Sequence, residues 1–73
     1  MAEHKHEILE TVAKLSQKGS WSLELNIVRW NGNEPKYDIR SWNEDHTKCS
    51  KGISLVPGEA QALLLALKEK LED

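Results

Sequence analysis

The stretch Trp21-Ser-Leu-Glu-Leu-Asn-Ile-Val-Arg-Trp30, with Asn31-Gly-Asn-Glu-Pro35 and Lys36-Tyr-Asp-Ile-Arg-Ser-Trp42 after it, decides the fold. Its first segment alternates with period two, as a strand does when its two faces meet different surroundings. Trp21, Leu23, Leu25 and Ile27 fall on one side, with Arg29 ending the row. Ser22, Glu24, Asn26, Val28 and Trp30 fall on the other. Asn31–Pro35 is dense in turn formers. Lys36–Trp42 then alternates again, Tyr37 and Ile39 against a polar row of Lys36, Asp38, Arg40 and Trp42. Two such runs around a five-residue loop make a hairpin.

Toward the C-terminus, Asn43–Ser50 is a polar loop, and Lys51–Leu55 is a short alternating strand with Ile53 and Leu55 on the core side. Pro57 opens a helix, where its missing N–H costs nothing, and Glu59 in the first turn suits the helix dipole. Gly58, a weak helix former, leaves the exact start open. Ala60, Leu63, Leu64, Leu67 and Leu71 recur at helical spacing. Leu65 lies off that stripe, so the apolar face is wider than one small sheet needs.

Toward the N-terminus the pattern has two readings. Ile8, Leu9, Val12 and Leu15 fit helical spacing, and Glu, Ala, Lys and Leu are helix formers, so pattern alone favours a helix over residues 5–17. Leu9, Thr11, Ala13 and Leu15 against Ile8, Glu10, Val12 and Lys14 also fit a strand. Gly19 and Ser20 end the segment either way. No internal repeat, low-complexity tract or second domain is visible, so residues 1–73 read as one domain with residues 1–5 as a disordered tail.

A domain of 73 residues buries a thin core. Cys49 is the single cysteine, so no disulfide staples the fold, and the chain suits a reducing, cytoplasmic setting. Association with a second copy is the remaining common remedy. No stretch is apolar enough to span a membrane, and Met-Ala-Glu-His-Lys-His-Glu lacks the apolar run of a signal peptide. The net charge of -2 does not by itself suggest a nucleic-acid binder. The acid is unevenly placed, however. Arg29, Lys36, Arg40, Lys48 and Lys51 balance Glu24, Glu34, Asp38, Glu44 and Asp45 in the middle, and residues 1–20 balance as well. The surplus sits at Glu59, Glu69, Glu72 and Asp73. What a polyanion meets is the local field.

Three tryptophans with no phenylalanine is an odd aromatic set. Trp30 and Trp42 read either as stacking platforms for unpaired bases, with Lys36, Arg40 and Lys51 on phosphates, or as covers for the edges of a thin core. His4 with His6, and His46 with Cys49, have ligand-like spacing, but each pair supplies two ligands where a closed zinc site needs four. They read as solvated tail and loop residues, and no metal site or cofactor is expected. Cys49 lacks the base and orienting group of a nucleophile. Glu44 and Asp45 are loop neighbours, not an opposed acid/base pair. The four glycines are scattered and form no phosphate loop. No catalytic residue is expected, and the chain does not read as an enzyme.

Tyr37-Asp-Ile-Arg-Ser-Trp42, a polar loop, Lys51-Gly-Ile-Ser-Leu55 and a C-terminal helix together resemble the transcriptional coactivator p15 family, also called positive cofactor four. Trp30-Asn31, Glu34-Pro-Lys-Tyr-Asp-Ile-Arg40, Trp42, Asp45-His46 and Lys51-Gly-Ile are similar to the short bacterial members of the YdbC type, and the resemblance runs over about residues 6–71. It implies an α+β fold, a four-stranded antiparallel curved sheet followed by a C-terminal helix (β-β-β-β-α), with residues 6–17 as the first strand. It also implies a homodimer formed largely through the helices, here Leu63, Leu64, Leu65, Leu67 and Leu71, and a groove for single-stranded DNA. Arg40, Trp42 and Lys51 match groove positions. Trp30, Lys36 and Arg29 are added from strand parity and the bacterial likeness, Lys18 from the first hairpin and Lys48 from its place before the last strand. Val56 stands where many members cap the helix with serine or asparagine. The serine-rich and lysine-rich tail of the eukaryotic coactivators is missing, which puts a coactivator role through activator contacts in doubt. The expected activity is single-strand binding with little sequence preference, of DNA or also RNA, at transcription bubbles or in replication or repair, in the cytoplasm or on the nucleoid. A protein-interaction adaptor using the helix face and exposed tryptophans is the first rival reading, and a small metal-dependent enzyme or metal carrier using His4, His6, His46 and Cys49 is the second.

Overall fold

The structure is a computed structural model, and it describes residues 5–72. His4 of the suggested metal tract therefore lies outside the described residues, as does most of the expected tail. Lys5 is held, because its N–H donates to Asn31 Oδ1 at 3.0 Å and its carbonyl accepts from the Asn31 N–H at 2.7 Å.

The alternating runs become strands β1 (His6–Lys18), β2 (Trp21–Trp30), β3 (Lys36–Trp42) and β4 (Ile53–Leu55), followed by helix α1 (Pro57–Leu71). The sheet is antiparallel in the order β1-β2-β3-β4. In the β2–β3 loop, Asn31 and Gly32 take φ of 50° and 75°, and the Asn33 N–H returns to the Trp30 carbonyl at 2.9 Å. Asn-Gly is the pair that adopts two successive positive φ angles most readily, and the twist of such a turn matches that of the strands it joins.

The helical expectation for residues 5–17 fails for a visible reason. β1 pairs with β2 through three register shifts, which leave Leu9, Val12 and Leu15 without a cross-strand partner. Each bulge puts three β1 residues against two of β2. A period of three in a bulged strand imitates the 3.6 of a helix.

The register sets both rows predicted to be polar on one face, with Ser22 opposite Trp42, Glu24 opposite Arg40 and Asn26 opposite Asp38. Trp30 lies eight residues along β2 from Ser22, roughly 26 Å on a straight strand. Its ring nevertheless stacks on that of Trp42, centroids 6.2 Å apart and planes within 12°. The sheet is therefore curled, and its polar face is the inside of the cup. Ile53 and Leu55, expected on the core side, pair with Ile39 and Tyr37 on the outer face instead. Trp42, Val28, Asn26 and Asp38 are fully buried, with Ser22 and Glu24 nearly so. The leucine row is half-buried instead, and Trp21 is exposed. Leu25, Tyr37, Ile39 and Leu55 on the outer face line an open apolar hollow of ≈ 470 Å³ with Leu64 and Leu67 of α1.

The helix begins at Pro57. Val56 has no side-chain acceptor, so its cap consists of the reciprocal half alone, the Val56 N–H donating to Glu59 Oε1 at 3.0 Å. Leu63, Leu64, Leu65, Leu67 and Leu71 are all exposed. No described helix is long and apolar enough to cross a membrane.

Candidate functional site

The cup gathers polar and aromatic groups that the chain spaces widely. On one flank Asp38, fully buried, accepts from Arg40 Nε at 2.7 Å, from Ser54 Oγ at 2.8 Å and from Trp30 Nε1 at 3.3 Å. Pinned this way, the Arg40 guanidinium lies 4.6 Å from the centroid of the Trp30 ring. Burial works against the Arg40 charge, but the hydrogen bond and negative charge of Asp38 prevail and raise its pKa further. Trp30, Asn31, Arg40, Cys49 and Ser54 border an open hollow of ≈ 360 Å³.

On the other flank Glu24 accepts from Ser22, from Asn26 Nδ2 at 3.1 Å and from His46 Nε2 at 3.0 Å. Burial pushes the Glu24 carboxyl up, but these hydrogen bonds and the charge of His46 outweigh it and hold it below the ordinary carboxylate value. The 43–50 loop delivers His46 by folding back over the sheet. The Asn43 side chain accepts from the Lys48 N–H at 3.0 Å, and Asp45 accepts from Thr47, which lowers its own pKa. His46 takes a φ of 59°, and its carbonyl accepts from His6 Nε2 at 3.0 Å. His6 and His46 pack on Trp42 at 4.8 and 5.6 Å.

Trp42 is thus the floor of the cup, not an open platform, and its Nε1 is buried without a protein partner, like Asn26 Oδ1. Trp30 is half-buried at the rim. Arg40 spends its charge on Asp38 and orients Trp30. Lys36 lies on the cup face, and Lys48 and Lys51 lie on the loop that closes it; all three are exposed, and none forms an ion pair with another described residue. Two predicted residues are not brought to this face. Arg29 sits on the outer face, paired to Glu7 at 3.0 Å, and Lys18 sits opposite Trp21 on the same outer side. His46 and Cys49 are not simply solvated. Both are half-buried, His46 on Glu24 and Cys49 beside Arg40 at 4.0 Å. Among the described residues no cluster of three or more His, Cys, Asp or Glu forms a metal-binding group.

Residue-level reading missed Asp38, Glu24, Ser54, His6 and His46 as parts of the site. Parity placed Asp38 and Glu24 on the right face. No local signal marks His6, and His46 is marked only by the Asp45-His46 likeness; both arrive through the curl and the loop.

Residues 17–66 match the family Transcriptional Coactivator p15 (PC4). An uncharacterized protein of Treponema pallidum (strain Nichols) is 44% identical over 59 residues, covering 80% of this chain and 69% of the relative. A short bacterial member of the family is consistent with both. The chain therefore belongs to the transcriptional coactivator p15 (PC4) family, a membership consistent at family level with a single-stranded-DNA-binding, coactivator-like role.

Proposed function

We propose that this protein binds single-stranded DNA with little sequence preference, as a non-enzymatic homodimer. The observation that carries the reading is the Trp30–Arg40 pair at the rim of the cup, with exposed lysines around it. An indole and a guanidinium plane both stack on any base, for about 1–3 kcal/mol per base. Lys36, Lys48 and Lys51 supply the sequence-independent phosphate contacts. The family membership supports the same reading. The exposed helix leucines and the open apolar hollow supply a surface for the second copy. Action at transcription bubbles, in replication or in repair, in the cytoplasm and on the nucleoid, fits such a module, and nothing at the rim selects against RNA.

The test is a titration of labelled single-stranded and duplex oligonucleotides at several salt concentrations. Preferential single-strand binding that weakens with salt, and that falls in Lys51→Ala and Trp30→Ala, is expected. No single-strand binding at low salt would remove the reading and leave the helix face as a protein-interaction surface.

A further inference from the structure

The first strand lies almost wholly outside the residues matched to the family, which begin at 17. Its three bulges sort its side chains. Ile8, Thr11, Lys14 and Gln17 stand opposite Val28, Asn26, Glu24 and Ser22, on the cup face. Glu7, Glu10, Ala13 and Ser16 stand opposite Arg29, Ile27, Leu25 and Leu23, on the outer face. Strict alternation from His6 would bring Glu10 to the cup face. The first bulge instead turns Glu10 outward, where Glu7 already lies. The cup-side row of β1 keeps Lys14 as its cation and contains no carboxylate of its own, although Lys14 stands opposite Glu24 and Glu44 also borders the hollow that Lys14 and Gln17 line.

The row has a pitch. Each bulge repeat spans two β2 residues, about 6.8 Å. An extended, unstacked strand spaces its phosphates at roughly twice the ~3.4 Å rise of a strand in a stacked duplex. The bulge residues Leu9, Val12 and Leu15 recur at the same pitch and are exposed on the free edge of the sheet, where no packing in the monomer accounts for them. Bulges interrupt the ladder that a pairing strand would need, which argues against another polypeptide along this edge.

We propose that β1 is a track that extends the cup for a single-stranded nucleic acid, one nucleotide per bulge. Lys14 contacts a phosphate, Thr11 and Gln17 hydrogen-bond the backbone, and Leu9, Val12 and Leu15 give apolar surface to the bases. The inference rests on the nucleic-acid reading of the cup, and the experiment separates the two.

Affinities of the full chain for oligothymidines of increasing length are measured for wild type, Lys14→Ala and the triple variant Leu9→Ser, Val12→Ser, Leu15→Ser. All four positions are exposed, and circular dichroism confirms that each variant keeps its fold. The wild type gains affinity in steps beyond the length that fills the cup. Lys14→Ala keeps short-oligonucleotide binding but lowers the salt slope on long ones by about 0.7, and the triple variant loses the length gain. Wild-type binding with length gain and salt slope unchanged in both variants overturns the track and leaves the cup reading standing. A wild type that binds no single strand overturns both. Loss of oligomer mass in the triple variant, with its oligonucleotide affinities intact, assigns the row to a second copy and also overturns the track.

Discussion

Glu24 shows how a single carboxylate holds this site together. It lies under the curl of the sheet and is satisfied by Ser22, Asn26 and His46. Its pKa is lowered in the fold from the ordinary 4.5. The unfolded chain then takes up a proton more readily than the folded one, so the stability Glu24 contributes is full above about pH 4.5 and is lost as pH falls through the depressed folded value. Thermal melts of wild type and Glu24→Gln across pH 3–7 check this. The variant melts lower at pH 7, by the order of 1–3 kcal/mol for a disturbed buried hydrogen-bond set, and the two curves converge at acid pH. A gap that stays constant with pH would contradict the assignment.

At the scale of elements, β4 and its approach to β3 set the Arg40–Trp30 pair. Gly52 lies so close to β3 that an added Cβ would collide with the Arg40 side chain and the Ile39 carbonyl. Backbone cannot yield as a flexible side-chain tip does, so Gly52→Ala is expected to cost about 1–3 kcal/mol and to weaken single-strand binding, measured by chemical denaturation and oligonucleotide titration. Much of this level was legible in the sequence. The β2–β3 hairpin, its loop and the helix start at Pro57 follow from alternation and turn chemistry. The face of every β2 and β3 side chain also follows, because parity fixes it. Which face is inside does not follow. The leucine row reads as core by hydropathy, but curl is a property of the whole sheet, and it buries Ser22, Glu24 and Asn26 instead. β1 was misleading on pattern alone because bulges change the period. Lys18 was assigned from its place at the first hairpin and Arg29 from strand parity and the bacterial likeness, yet Arg29 shares the parity of the leucine row and faces outward with it.

For the whole molecule, the single chain leaves its outer apolar hollow open and its helix leucines exposed. Its radius of gyration is 13.3 Å, against about 11 Å for a compact domain of this length, because α1 leans on the outer face without closing it. Val28 and Trp42 are the fully buried apolar side chains among the described residues, too few for an isolated chain of this size. In the proposed homodimer a second copy would cover Leu64, Leu67 and the outer hollow and supply further burial. Sedimentation is expected to give twice the chain mass, with a Tm that rises with protein concentration. The double variant Leu64→Asp, Leu67→Asp is expected to sediment as a monomer and to melt lower.

In the proposed function the inside of the cup, and not the outer face, receives the nucleic acid. The three tryptophans report it directly, since Trp30 and Trp42 line the inside and Trp21 lies on the outside. The measurement is the set of indole N–H resonances of ¹⁵N-labelled protein titrated with unlabelled oligothymidine. The account predicts that the Trp30 resonance moves most, that Trp42 follows through the stack, and that Trp21 stays in place. Movement of Trp21 with Trp30 unmoved would contradict it.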